Sequence, residues 1–125
     1  LFLNYLGKYD LVLGYTSNML KYRGLIRTTI SVTFTKLLNL FSKSKIIYFN
    51  GLQIHKTDII KKISIESNNY TFQAEIILKT KKYYNNIKFV NIKPNDRDYG
   101  FSKAFRIKNI IETILFVLKS IKYRK

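Results

Sequence analysis

The chain has 125 residues, 46% of them apolar, and a formal net charge of +16 from 23 Lys and Arg against 7 Asp and Glu. That length gives one domain with a real core, and the composition excludes a disordered chain. The absence of cysteine excludes disulfides and thiolate metal sites, a lone histidine (His55) excludes a histidine-rich one, and no apolar run approaches the roughly 20 residues that span a bilayer.

The opening "LFLNYLGKYDLVLG" has no basic leader and no small-residue cleavage site, so it does not read as a signal peptide. It begins with Leu, which raises the expectation of a segment upstream. "YDLVLG" (Tyr9–Gly14) is a short apolar run ending at glycine and suits a buried strand. Tyr15–Gly24 is polar and punctuated and reads as a loop. From Leu25 to Phe41 the residues Ile30, Phe34, Leu37, Leu38 and Phe41 form one helical stripe, despite several threonines. "KIIYFNG" (Lys45–Gly51) reads as a strand running into an Asn50-Gly51 turn.

Thr57 and Asp58 are plausible caps of a short helix through Ile63, and Ser67–Asn69 is a polar break. A helix over Thr71–Lys82 follows, with Phe72, Ile76 and Lys79 or Thr80 on related faces. "NIKFVNI" (Asn86–Ile92) is apolar on both faces and reads as a central strand. The last helix carries Ile107, Ile110, Ile111, Ile114, Leu118 and Ile121 at helical spacing, the strongest periodicity in the chain. Strands alternating with helices give an α/β layer arrangement in one continuous unit, residues 1–125. Only three strands are convincing, fewer than a doubly wound sheet needs, so the unit reads as part of a larger domain.

The charge favours anionic partners: nucleic acid, acidic headgroups or phosphorylated substrates. Lysine outnumbers arginine 18 to 5, however, alongside abundant Ile, Asn, Tyr and Phe and scarce Ala. All the favoured types have A/T-rich codons, so the arginines are the better markers. Arg27 and Ser31 lie one helical turn apart, where a guanidinium and a hydroxyl can grip one phosphate. They also read as a solvated arginine beside a surface serine. In "NDRDYGFSKAFRIKN" (Asn95–Asn109), Arg97, the Gly100 backbone, Ser102 and Lys103 offer a fork, a turn, a hydroxyl and a point charge ahead of a helix. Ser102 equally suits a helix N-cap, with Asp96 and Asp98 pairing locally with Arg97.

Glu75, in "FQAEIIL", is either a paired, partly buried carboxylate or an outward one, and His55 reads as structural. No paired carboxylates, Ser/His/Asp set or P-loop is present. The last helix, ending in "KSIKYRK", suits either a core helix with a solvated tail or a helix lying on an anionic membrane.

Five segments, in order, resemble the second half of a family-2 glycosyltransferase domain, in the branch of dolichol-phosphate mannosyltransferases and polyprenyl-phosphate glycosyltransferases. They are "YDLVLGYTSN", "YRGLIRTTIS", "YFNGLQIHKTDII", "FQAEIILKT" and "NDRDYGFSKAFRIKNI". The resemblance implies the C-terminal part of a GT-A fold, Rossmann-like with a mixed sheet, carrying the acceptor side of the site. It implies sugar transfer from a nucleotide-sugar donor to a polyprenyl phosphate or glycan acceptor, at the cytoplasmic face of an anionic membrane, with Mg²⁺ or Mn²⁺. By position, Arg27 and Ser31 resemble the acceptor-phosphate grip, Arg97, Ser102 and Lys103 the closing loop, Asn50-Gly51 the turn beside the acceptor, and Glu75 the carboxylate assigned as catalytic.

Two departures stand out. The family's arginine after "DLVLG" is replaced here by Tyr15-Thr16. The aspartate-x-aspartate motif that holds metal and donor phosphates belongs upstream of "YDLVLG", so the metal ligands are expected in a preceding donor-binding half and these residues alone are expected to be inactive. Two other readings are a ribosomal-type nucleic-acid-binding protein, supported by +16 and 15% aromatics, and a non-catalytic membrane-surface module. Against the first, the aromatics sit in core-like positions without an aromatic-basic RNA-binding motif, and no nucleic-acid partner is expected.

Overall fold

The computed structural model describes residues 2–93 and 106–124. Arg97, Ser102 and Lys103, with the rest of the loop before the last helix, lie outside them. The protein is mixed α/β, built on a three-stranded sheet among the described residues. Strand β1 (Leu11–Tyr15) is central, flanked by antiparallel β2 (Gln53–His55) and parallel β3 (Ile87–Asn91). Leu11, Val12 and Leu13 are fully buried, as an apolar run with neighbours on both edges must be.

Asp10 fixes the register where β1 starts. Its carboxylate accepts the Asn85 and Asn86 backbone N–H groups at 2.9 and 3.4 Å and pairs with Lys56 at 2.8 Å. In return, the Asn86 side chain accepts the Asp10 N–H at 2.7 Å. One buried carboxylate thus ties the start of β1 to the residues beside β2 and β3. The Lys56 ammonium, with the two N–H groups, holds the Asp10 acid below the usual carboxylate range.

Helix α1 (Met19–Arg23) occupies part of the stretch expected as a loop, and Gly24, at φ 74°, breaks the chain before α2 (Leu25–Ser42). Phe34, Thr35, Leu38 and Ser42 of α2 are buried, whereas Ile30 and Leu37 of the expected stripe are exposed. A sheet of three strands is too narrow to cover the whole apolar arc of an 18-residue helix. After α3 (Thr57–Ile60), α4 (Phe72–Thr80) presents Ala74, Ile77 and Leu78 inward at i, i+3 and i+4. Phe72 is exposed.

Two strand assignments change. Lys45–Gly51 is not a strand; the strand begins at Gln53. The Asn39 side chain holds Ile46 from both sides, donating to its carbonyl at 2.8 Å and accepting its N–H at 3.0 Å, which removes those groups from any ladder. Tyr48 and Phe49 then turn into the core. Among the described residues Ile87–Asn91 forms an edge strand and not the central one, because β1 pairs on both sides and β3 on one.

The last helix, α5 (Ile107–Lys119), continues into a 3-10 turn over Ser120–Tyr123. Phe116, Val117 and Ser120 face the core. The strongest stripe of the sequence faces outward, and Ile107, Ile110, Ile111, Ile114, Leu118 and Ile121 are all exposed. The expected helix is present, and only its Phe116, Val117 and Ser120 side joins the core.

Candidate functional site

β1 and β3 run parallel, so their C-terminal ends share one edge of the sheet, where α/β proteins collect their ligands. Here β1 passes through Gly14 and Tyr15 into the α1–α2 segment, and β3 passes through Ile92 to residue 93. The Gly14 N–H donates to the Leu52 carbonyl at 2.8 Å, and the Ile92 N–H to the Tyr15 carbonyl at 2.7 Å. Gly51 packs directly on the Gly14 carbonyl, with the Tyr48 ring on its other side. No β-carbon fits there. The Asn50-Gly51 turn is thus held at the sheet edge by backbone contact.

Tyr48 gathers the rest. Arg23 Nη1 donates to its hydroxyl, with the guanidinium carbon 5.4 Å from the ring centroid. Ser31 Oγ donates to the same hydroxyl over a longer 3.4 Å. Because Tyr48 Oη accepts from both, its own proton remains for a further acceptor. Ser31, Thr35, Lys36 and Tyr48 line an adjoining cavity of about 250 Å³, with Met19 and Ile46 as its apolar wall. The Thr35 hydroxyl is buried there without a hydrogen-bond partner, and so is the Asn50 side-chain oxygen nearby in sequence.

Of the residues expected from sequence, the structure therefore brings Ser31 and Gly51 to one tyrosine. Arg27 lies one turn before Ser31 on α2, at the surface. The arginine that reaches the cluster is Arg23, which ends α1 and so falls outside the helical spacing that pairs Arg27 with Ser31. Its scarcity as an arginine, in "YRGLIRTTIS", was the available signal. Tyr48 carried no signal, being one of ten tyrosines in a segment expected to be a strand.

Glu75 lies elsewhere. It is 2% exposed. Its carboxylate accepts the Ser67 N–H at 2.8 Å and the Glu66 N–H at 3.1 Å, and pairs with Lys79 at 2.7 Å. Burial pushes the acid up, but the Lys79 ammonium and the Ser67 and Glu66 donors outweigh it and hold it at about 2. Such a group stays ionised and is a poor proton acceptor at neutral pH. It anchors the Glu66–Thr71 turn, one wall of a cleft of about 960 Å³ whose other wall is α5. Asn69 closes the floor, accepting from Thr71 and donating to Glu112 at 2.7 Å.

His55 is structural, as expected. Its Nδ1 lies 2.7 Å from the Tyr84 hydroxyl and its Nε2 2.8 Å from Gln53 Oε1. Burial pushes the imidazole down to about 4 and the Tyr84 phenol up to about 12. The folded protein thus binds fewer protons at His55 than the unfolded chain between pH 6.5 and 4. Stability from this site is complete above pH 6.5 and falls as the pH drops through that window, at up to about 1.4 kcal/mol per unit. In His55→Gln, urea midpoints should lose most of their dependence on pH between 6.5 and 4.5. An unchanged slope would place the proton uptake elsewhere.

Among the described residues, no group of three or more His, Cys, Asp or Glu can hold a metal ion. The Mg²⁺ or Mn²⁺ implied by the resemblance thus finds no ligand set in them. No protein-family model, curated protein or solved structure matches the chain.

Proposed function

We propose that this chain is the acceptor-side half of a glycosyltransferase, which receives a sugar from a nucleotide-sugar donor onto a polyprenyl phosphate or related glycan acceptor. The observation that carries the reading is the convergence of Arg23, Ser31 and Gly51 on Tyr48 at the C-terminal edge of the sheet. The N–H groups that Arg23 keeps beside its bond to Tyr48, and the spare proton of Tyr48 oriented by Ser31, suit one phosphate group. Arg27, one turn from Ser31, adds a second cation within reach of the same face.

A phosphate acceptor is already ionised, so the chemistry needs cations more than a general base. Arg97 and Lys103 then neutralise charge developing on the departing nucleotide diphosphate. Glu75 holds the neighbouring turn and takes no proton. The donor half, with its aspartate-x-aspartate motif, belongs upstream.

The test is sugar transfer to a short isoprenyl phosphate by the chain extended upstream in its own reading frame. Arg97→Ala and Lys103→Ala should each lower turnover about hundredfold with unchanged circular dichroism. Arg23→Ala should mainly raise the KM for the phosphate acceptor. No transfer by any extended form, with tight, steeply salt-dependent RNA binding instead, would transfer the +16 charge to the nucleic-acid reading.

A further inference from the structure

The outward face of α5 is built for something other than water. Ile107, Ile110, Ile111, Ile114, Leu118 and Ile121 follow helical spacing, so they form one ridge along the helix. Ile107 is 76% exposed and Ile114 55% exposed. Leu115 widens the ridge on the side of the large cleft, which it also lines. Isolated exposed leucines are ordinary on protein surfaces, but a continuous ridge of this length marks an interaction site.

Charge identifies the occupant. Arg106, Lys108, Lys119 and Lys122 all line the cleft beside the ridge. The single acid of α5, Glu112, is engaged by the Asn69 amide at 2.7 Å. On the opposite wall, Glu66 and Glu75 are both paired with Lys79 at 2.7 Å. With Lys79, these residues set five cations against the three carboxylates of Glu66, Glu75 and Glu112, so the cleft keeps a positive balance directly beside hydrocarbon. A second copy of a chain carrying +16 would be repelled from such a face. A nucleic acid would use the cations and leave the ridge wet. An anionic bilayer satisfies both.

We infer that α5 is a membrane-docking helix. It lies in the plane of an anionic bilayer with its isoleucine ridge in the acyl boundary, while Arg106, Lys108, Lys119 and Lys122 receive headgroup phosphates in the adjoining cleft. Phe116, Val117 and Ser120 fasten the opposite side of the helix to the protein. No described helix is long and apolar enough to cross a membrane, so this geometry lies along the surface. The inference stands on α5 and does not depend on the sugar-transfer reading.

The chain contains no tryptophan, so Ile114→Trp places a single reporter on the ridge. Added to phosphatidylcholine vesicles containing phosphatidylglycerol, this variant should float with the vesicles and shift its emission to the blue. Pure phosphatidylcholine should give neither effect. Trp introduced at exposed Lys61, on α3's C-terminal side, should stay unshifted. Lys119→Glu with Lys122→Glu should weaken vesicle binding about tenfold or more. Circular dichroism checks folding, and Ile111→Trp repeats the measurement should Ile114→Trp not fold. Three results would each overturn the inference: no binding, binding with the ridge reporter unshifted, or a stable dimer that Ile114→Glu dissociates.

Discussion

Gly51→Ala is expected to destabilise the protein by about 3 kcal/mol or more, a large share of the roughly 5–15 kcal/mol that a domain has in total. The new methyl group would fall well inside contact distance of the Gly14 carbonyl oxygen, and the Tyr48 ring closes the other side. Neither neighbour can yield cheaply. Gly14 sits in the central strand, its N–H bonded to Leu52, and Tyr48 is held by Arg23 and Ser31. Relief would need β1 and the 48–52 segment to separate, which would open the sheet edge carrying the candidate site.

Gly7→Ala is the control. Gly7, unlike Gly51, has a positive φ, 75°, but nothing stands within 4 Å of a β-carbon there. It should cost only about 1 kcal/mol of backbone strain. Urea unfolding followed by circular dichroism distinguishes the two. Equal midpoints for both variants would mean that the Gly14–Gly51 approach is not a constraint on the fold.

Lys79→Met is expected to cost about 2 to 3 kcal/mol at neutral pH, because it leaves the buried Glu75 carboxylate with the neutral donors of Glu66 and Ser67 and no countercharge. The Lys79 side chain is 14% exposed and pairs with both Glu75 and Glu66, so little solvent replaces it. The dependence on pH carries the diagnosis. In the native protein Glu75 is held at about 2, below its unfolded value near 4.5. Its contribution is therefore complete above pH 4.5 and is lost as the pH falls from there toward 2. Without the ammonium, burial raises the acid in the folded state, so the penalty of Lys79→Met should shrink on acidification. Adding Glu75→Gln should recover part of the loss at neutral pH, since a neutral amide costs less to bury. Denaturant midpoints of the three variants across pH 3 to 7 test this. A penalty of Lys79→Met that is the same at both ends of the range would show that the pair is not what holds the turn at Glu66–Thr71.

Much of the fold was legible in the sequence because local pattern and burial coincide there. "YDLVLG" reads as a buried strand, and three consecutive apolar residues there are fully buried. The long helix ends within one residue of the expected position, where Lys43 turns into a left-handed conformation. The segment 45–51 misled because Ile46, Ile47, Tyr48 and Phe49 have strand-like composition, while the decisive contact comes from Asn39, seven residues before Ile46. Composition cannot register a side chain that captures a distant backbone.

The site divides in the same way. Ser31 reads as a hydroxyl that suits a phosphate site, and Gly51 as part of a turn that only the resemblance sets beside an acceptor, yet what brings them together is Tyr48. Arg23 reaches that tyrosine only because Gly24 ends α1 where it does. Glu75 was recognisable as a carboxylate among apolar neighbours, but its partners Lys79, Glu66 and Ser67 were not.

The sequence by itself determined the mixed α/β character, the cationic balance, the absence of cysteine and the helical period of α5. All of these are properties of composition or of neighbours within a few residues, and they survive whatever the chain packs against. Only the tertiary structure decided which strand is central, which arginine meets Ser31, and that the isoleucine stripe of α5 points outward. Periodicity fixes that a stripe exists, but two faces of one helix can both be apolar. The small sheet and α2 accept only Phe116, Val117 and Ser120, and the wider face is left to the surroundings.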